Sequence, residues 1–290
     1  MYPYITLGSF HLGTFGLFLW LAAVLAGFVL HLSFQRDGVD ADALAIVTAV
    51  VIAGVLGAKI WHELQSPSEL VAAMRQIALP GWSHPGQVAT GLFEWMRAGI
   101  AWFGGLVAGI LMLLYEGYKA RPNALKGYRA GVRMLDLAAA AAPVGYGIGR
   151  IGCMTSGDGD YGRITSSTLW GVHLKPTALV PVYPPNALVL PTPFWECGAA
   201  LIIAYVVWKL GNRARPLGFL TGTYLVLSGL ERFTVEFWRI NPKLYFGMSN
   251  AQVAAIGSVI AGVIVLLLVR SRPRVGGFSR IPVKLESASS

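Results

Sequence analysis

Hydrophobic positions run in unbroken blocks separated by short polar or Gly- and Pro-rich connections. Blocks of about 20 apolar residues match the length that crosses a bilayer as a helix. The alternating segments of about ten residues that mark membrane β-barrels are not found. Seven spans are predicted, at 12–34, 44–61, 100–115, 135–154, 192–210, 217–235 and 251–269. The fold class is therefore all-α, a polytopic membrane protein of about seven transmembrane helices. The first ten residues, MYPYITLGSF, hold no Lys or Arg, so the first span is not read as a cleaved signal peptide.

Composition agrees with this reading. Of the 290 residues, 55% are hydrophobic and 13% charged, against about 25% charged in soluble domains. A water-soluble single core and a disordered chain are both excluded. A net charge of +9 raises the question of nucleic acid, but the basic residues sit mostly in short loops, where membrane orientation accounts for them.

Lys119, Arg121, Lys126, Arg129 and Arg133 form one such loop, Lys209, Arg213 and Arg215 another, and Arg270, Arg272, Arg274, Arg280 and Lys284 the tail. These fall on one side when the N-terminus is outside and the C-terminus cytoplasmic. The first loop, RDGVDAD, gives a weak vote, one Arg facing three Asp. Residues 1–269 are expected to form the membrane domain, with outer segments at about 62–99 and 155–191, and 270–290 a basic cytoplasmic tail. The first outer segment, with Trp82, Trp95 and Trp102 near its end, reads as interfacial. The second, lying between spans four and five, reads as a small external cap with strand-like fragments such as LWGVHL.

Ionisable residues inside spans are functional candidates, because each costs about 2.5–3.5 kcal/mol to insert at mid-helix. Lys59, Arg150, Glu196, Arg232 and Glu236, with Arg239 just beyond, converge on one depth near the outer headgroups in the topology above. Arg232, Glu236 and Arg239 share one helix face by spacing. A ladder of structural salt bridges is one reading for any single residue. For the group, arginines are expected to outnumber the nearby acids and to hold an anion, a lipid phosphate being nearest.

Other signals are weak. Gly147 to Gly152 match G-x-G-x-x-G but follow no strand, so the dinucleotide reading fails its context. Five His residues show no metal-ligand spacing, and no metal or other cofactor is expected. Cys153 and Cys197 are compatible with a disulfide or with two buried free thiols.

These residues together resemble the prolipoprotein diacylglyceryl transferase family. Its G-R-x-G-N-F-x-N-G-E signature is matched by Gly149-Arg150-Ile151-Gly152-Cys153-Met154-Thr155-Ser156-Gly157-Asp158. Its H-P-S/T-x-L-Y-E element is echoed by Leu190-Pro191-Thr192-Pro193-Phe194-Trp195-Glu196, and F-R-x-x-V-E-F-x-R by Glu231-Arg232-Phe233-Thr234-Val235-Glu236-Phe237-Trp238-Arg239. The H-G-G-L of span three becomes Phe103-Gly104-Gly105-Leu106, and G-G/A-R/K of span two becomes Gly57-Ala58-Lys59. Met248-Ser249-Asn250-Ala251-Gln252 resembles S-M-G-Q. The family's His before Gly-Gly, implicated in catalysis, is Phe103 here, its signature Glu is Asp158, and the later His is Leu190. The chain thus resembles a variant branch with an acidic loop, 158–160.

The resemblance implies transfer of diacylglyceryl from phosphatidylglycerol to the lipobox cysteine thiol of prolipoproteins, forming a thioether and releasing glycerol 1-phosphate. It implies a bacterial inner-membrane enzyme working near the outer leaflet. Arg150 and Arg232 are expected to bind the leaving phosphate, with Arg239 and Lys59 as outer support. Asp158, Asp160 or Glu196 is expected to replace the His as base, Glu196 serving equally well as a structural partner of an Arg. Gly104, Gly105, Gly149, Gly157 and Glu236 are expected to line the substrate site. Two other readings stay open. One is a non-catalytic or differently catalytic homologue binding an anionic lipid or lipoprotein precursor, favoured by Phe103. The other is an anion transporter.

Overall fold

The computed structural model describes residues 3–8, 10–79, 84–97, 101–174, 178–180 and 187–276. Trp82, Arg280 and Lys284 lie outside them. A short hairpin, β1 (Tyr4–Leu7) and β2 (Phe10–Gly13), leads into α1 (Thr14–Asp37) and α2 (Ala43–Gln65). Two amphipathic helices follow, α3 (Pro67–Ala78) and α4 (Pro85–Arg97), in the segment read as interfacial. Then come α5 (Trp102–Ala120), α6 (Tyr128–Ala138) and α7 (Ala141–Ser156). The cap is a three-stranded sheet, β3 (Ile164–Thr165), β4 (Val172–His173) and β5 (Leu188–Val189), with β5 central and antiparallel to both neighbours. The chain continues with α8 (Thr192–Gly211), β6 (Arg215–Pro216), α9 (Phe219–Val235), β7 (Lys243–Tyr245), β8 (Met248–Ser249), α10 (Asn250–Val269) and β9 (Arg274–Val275), which pairs with β6.

The chain is predominantly helical, and α1, α2, α8 and α10 are long and apolar enough to cross a membrane, the architecture of a polytopic membrane protein. Their outward faces expose Trp20, Ile60, Ile202 and Leu267, as helices solvated by lipid rather than water would. The span expected at 135–154 is two helices. The turn at Ala139–Ala140 breaks it, and Pro143 stands in the first turn of α7, where its missing N–H leaves no bond unmade. The S-M-G-Q-like stretch proves to be a helix start. Ser249 caps α10 by accepting from the Gln252 amide at 3.2 Å, and Gln252 accepts from the Ser249 amide at 3.1 Å.

Several charges assigned to loops are built into the helix ends instead. Arg36 and Asp37 close α1, both buried, with Arg36 Nε on Asp37 at 3.1 Å and Arg133 Nη2 on the same carboxylate at 2.6 Å. Asp136 of α6 accepts from the Gly218 and Thr221 amides at 2.7 and 2.9 Å, capping α9 from a distance. Arg133, only 3% exposed, is thus a structural ion-pair member rather than a loop charge.

Helix α1 packs on α7, α7 on α8, α9 on α10, and α2 on α5. The last contact explains two candidate glycines. A Cβ on Gly57 would lie 2.6 Å from the Gly104 carbonyl oxygen, and one on Gly105 3.1 Å from that of Gly54. Gly104 and Gly105 let two backbones touch. Gly104→Leu is expected to lower the melting temperature in detergent, overpacking typically removing about 1–3 kcal/mol. An unchanged melting temperature would show that the two helices separate freely here.

Candidate active site

At the end of the bundle formed by the C-terminus of α7, the first turns of α8 and the end of α9, one carboxylate gathers three arginines. Glu196, on the second turn of α8, is fully buried. Arg150 of α7 places its Nε on Glu196 Oε2, and the Tyr146 hydroxyl, four residues earlier on the same face, donates to that oxygen at 3.1 Å. Glu196 Oε1 accepts from Arg239 Nη1 at 3.1 Å and has Arg232 Nη1 at 3.6 Å. The helix expected to carry all three ends at Val235: Glu236 opens a 3-10 turn and Arg239 follows in extended backbone, so the three meet across the helix end rather than on one helix face. Arg232 pairs with Glu236 at 2.8 Å, and Arg239 lies 3.6 Å from the same carboxylate, which also accepts from the Asn241 amide at 2.6 Å.

The acidic loop closes the group. Gly157 ends α7 at φ 66°, the left-handed conformation glycine adopts freely. Asp158 then accepts from the Asp160 amide at 3.1 Å, turning the chain back so that Asp160 bridges Arg150 Nη1 and Arg239 Nη2. The loop is tied down beyond that point by Arg163 donating to the Trp238 carbonyl at 2.8 Å. A Cβ on Gly162 would lie 2.7 Å from that carbonyl oxygen, so this approach requires glycine. Gly149, by contrast, faces open space.

The electrostatics overturn one expectation. Arginines do not outnumber acids: Arg150, Arg232 and Arg239 meet Asp160, Glu196 and Glu236, with Asp158 and Glu231 close by. The two loop carboxyls split in response. Burial alone would raise Asp160, but the Arg150 and Arg239 guanidinium groups outweigh it and hold the carboxyl at about 2. Burial, then the negative Asp160 beside it, raise Asp158 above its ordinary value.

Arg150 retains one donor. Its Nη2 is buried with no hydrogen-bond partner among the described residues. Cys153 is a free thiol, as is Cys197, and both are buried. Cys153 Sγ lies 3.5 Å from Arg150 Nη1, and Sγ, Asp158 and Asp160 fall within 4.8 Å of one another. A guanidinium already sits against this trio, so the donor set suits a proton network better than a divalent cation.

Lys59 belongs to other helices. It is buried on α2, pairs with Glu63 at 2.7 Å, donates to the Trp95 carbonyl at 2.6 Å and lies 4.4 Å from the Trp95 ring centre. Phe103 stands 48% exposed on α5, edge-on to Trp102. Tyr146 and Glu231 were not among the expected site residues. The four-residue spacing to Arg150 points to the first, and an acid inside a span, next to Arg232, to the second.

A family model described as prolipoprotein diacylglyceryl transferase matches residues 3–268. The chain belongs to that family. Among curated relatives it is 29% identical over 274 residues to the phosphatidylglycerol–prolipoprotein diacylglyceryl transferase of Methylibium petroleiphilum, covering 88% of each chain. It is 28% identical over 283 residues to the protein of that name from Geobacter sulfurreducens, covering 94% of this chain and 96% of the other. The match covers nearly the whole chain, with Phe103 and Leu190 standing where the family elements quoted above have His.

Because Asp160 is held below its ordinary 3.8, its contribution to the fold is complete above that pH and is lost as pH falls through about 2. Asp158, shifted the other way, favours the fold while protonated and loses that contribution as pH rises through its raised value. The melting temperature in detergent is expected to drop on acidification from about pH 5 toward 2, and Asp160→Asn to flatten that drop. A variant curve parallel to wild type would assign the acid loss to other carboxylates.

Proposed function

We propose that the chain transfers the diacylglyceryl group of phosphatidylglycerol to the lipobox cysteine thiol of a prolipoprotein. The observation that carries this reading is Arg150. Its Nε and Nη1 are fastened to Glu196 and Asp160, so the guanidinium cannot swing, while Nη2 stays buried and unpaired. A donor fixed in that way is preorganised for an oxyanion.

In the reaction the cysteine sulfur bonds to the glyceryl carbon, the bond from that carbon to the phosphate oxygen breaks, and glycerol 1-phosphate departs with the electron pair. The phosphodiester carries one negative charge and the released phosphate two, so the group beside Arg150 and Arg232 gains charge as the bond breaks. Interactions that strengthen with that gain accelerate the step. Glu196, Glu236 and Arg239 hold the two arginines in place. The thiol, with an ordinary pKa of about 8.5, needs a proton acceptor. Asp158 takes that role, being the loop carboxyl with no ion pair among the described residues and a raised affinity for protons. Gly149 leaves open space on α7 for substrate.

This reading places the spans at α1, α2, α5, α7, α8, α9 and α10, in the bacterial inner membrane, with the N-terminus outside and the arginine group at the outer leaflet. Cysteine labelling of intact cells is expected to reach the 155–191 segment and spare the tail; the opposite pattern would invert the topology. A second reading, a lipid- or precursor-binding homologue without transferase activity, is favoured by Phe103. Five carboxylates around three arginines argue against an anion pathway.

Purified protein with phosphatidylglycerol and a lipobox peptide separates the two. Wild type is expected to form the thioether, Arg150→Ala to abolish it, and Arg150→Lys to restore little, a point charge lacking the fork. Asp158→Asn is expected to lower turnover by about 10²-fold or more, the low end for losing a general base. Near-normal turnover in Arg150→Ala would sink the assignment. An inactive wild type revived by Phe103→His would establish the second reading.

A further inference from the structure

The face of α8 and α9 beside the arginine group carries a cleft of about 340 Å³, lined by Trp195, Ala199, Glu231, Thr234, Val235 and Trp238. The Trp195 and Trp238 rings meet edge-on, 6.1 Å between centroids and 89° between planes. Among the lining residues Glu231 alone is ionisable, and its Oε1 is buried with no hydrogen-bond partner among the described residues. Thr234 does not supply one, since its hydroxyl donates to the Leu230 carbonyl at 2.7 Å. Arg150, Arg232 and Arg239 are taken up by Glu196, Glu236 and Asp160. Glu231 therefore forms no salt bridge among the described residues and shares the lining of the cleft with the two indoles.

That combination is the chemistry of ammonium recognition. Indole faces attract a cation through their quadrupole, and a carboxylate accepts charge-assisted hydrogen bonds from its N–H groups. The cleft lies at the start of α8 and the end of α9, which is headgroup depth in the topology proposed above, and Leu230 and Thr234 at its rim are exposed. The ammonium of a zwitterionic lipid complements the Glu231 carboxylate without adding net charge to the cleft. We propose that this cleft binds the primary ammonium headgroup of a zwitterionic phospholipid, with Glu231 accepting from the ammonium and Trp195 and Trp238 flanking it. The site rests on the proposed topology and is separate from the donor site at Arg150. Glu231 also stands where the family element quoted above has Phe.

The test uses the purified full chain in micelles doped with phosphatidylethanolamine, phosphatidylcholine or phosphatidylglycerol at equal mole fraction, with retained lipid counted by native mass spectrometry. Phosphatidylethanolamine is expected to be retained about tenfold over phosphatidylcholine, whose quaternary nitrogen has no N–H to donate. Glu231→Gln is expected to abolish that preference and Glu231→Asp to keep part of it. Trp195→Phe, which leaves the carboxylate, is expected to weaken retention without reversing the order. Equal retention of the two lipids by wild type, or a preference that survives Glu231→Gln, would overturn the proposal. Displacement of the lipid by free ethanolamine at equal concentration would also overturn it, showing a free-amine site. Transfer from phosphatidylglycerol is measured on the same preparations. Its absence alongside an intact amine preference would refute the transferase reading and leave the cleft standing, and the converse result would refute the cleft alone.

Discussion

The fully buried carboxylate of Glu196 is the constraint on which the site depends. Arg150 from α7, Arg239 from beyond α9 and Arg232 from α9 itself reach α8 through it, and Tyr146 completes its shell. Burying one carboxylate against several guanidinium groups is tolerable because Glu196 itself accepts from Arg150, Arg239 and Tyr146. Removing one member of a buried pair typically costs about 3–5 kcal/mol, much of it from the charge left behind. Here a lost Glu196 would take one carboxylate from three cations at once, leaving Arg150 and Arg239 on Asp160 and Arg232 on Glu236. The carboxylate thus has a stabilising role and a functional one that cannot be separated: it joins three helices, and it aims the arginines.

The same device appears at the far ends of α1 and α8 with a different purpose. Asp37 holds Arg36 and Arg133, and Arg36 stacks on Trp208 with its Cζ 4.7 Å from the ring centre while donating to the Trp208 carbonyl at 3.3 Å. Asp136 caps α9. Here the local charges are fully used within the protein. At the Glu196 end several polar atoms, Arg150 Nη2 and Glu231 Oε1 among them, are buried with no hydrogen-bond partner among the described residues. Buried polar groups in native proteins are nearly always satisfied, so such exceptions point to ligands.

Much of this was legible in the chain. Apolar block length located the helices to within a few residues, because lipid demands long uninterrupted apolar stretches. Intramembrane charges pointed to the cluster around Glu196, except for Lys59, which pairs with Glu63 on α2. What escaped was pairing. Nothing in the sequence says that Asp160 lies across Arg150 and Arg239, because that contact depends on the left-handed turn at Gly157 and on Gly162 seating against the Trp238 carbonyl. Arg133 read as a loop charge because its partner, Asp37, is 96 residues away. Gly104 and Gly105 read as ligand-lining because a glycine that admits a substrate and one that admits a helix look alike in sequence.

The excess of carboxylates bears on the chemistry. A phosphate approaching Arg150 enters a neighbourhood where acids already compensate the arginines, so ground-state attraction is modest. That is what a catalyst requires, because tight binding of the resting phosphodiester would raise affinity without raising rate. The second negative charge appears on the phosphate only as the bond breaks, and Arg150 Nη2 is positioned to answer it. In the proposed reaction the proton leaving the thiol goes to Asp158, whose affinity for it is raised by burial and by Asp160. Asp160 itself stays ionised because Arg150 and Arg239 hold it there. In the proposed reaction one carboxylate tuned for protons stands beside another tuned against them, and Arg150 links the proton acceptor's neighbour to the phosphate donor through a single rigid guanidinium.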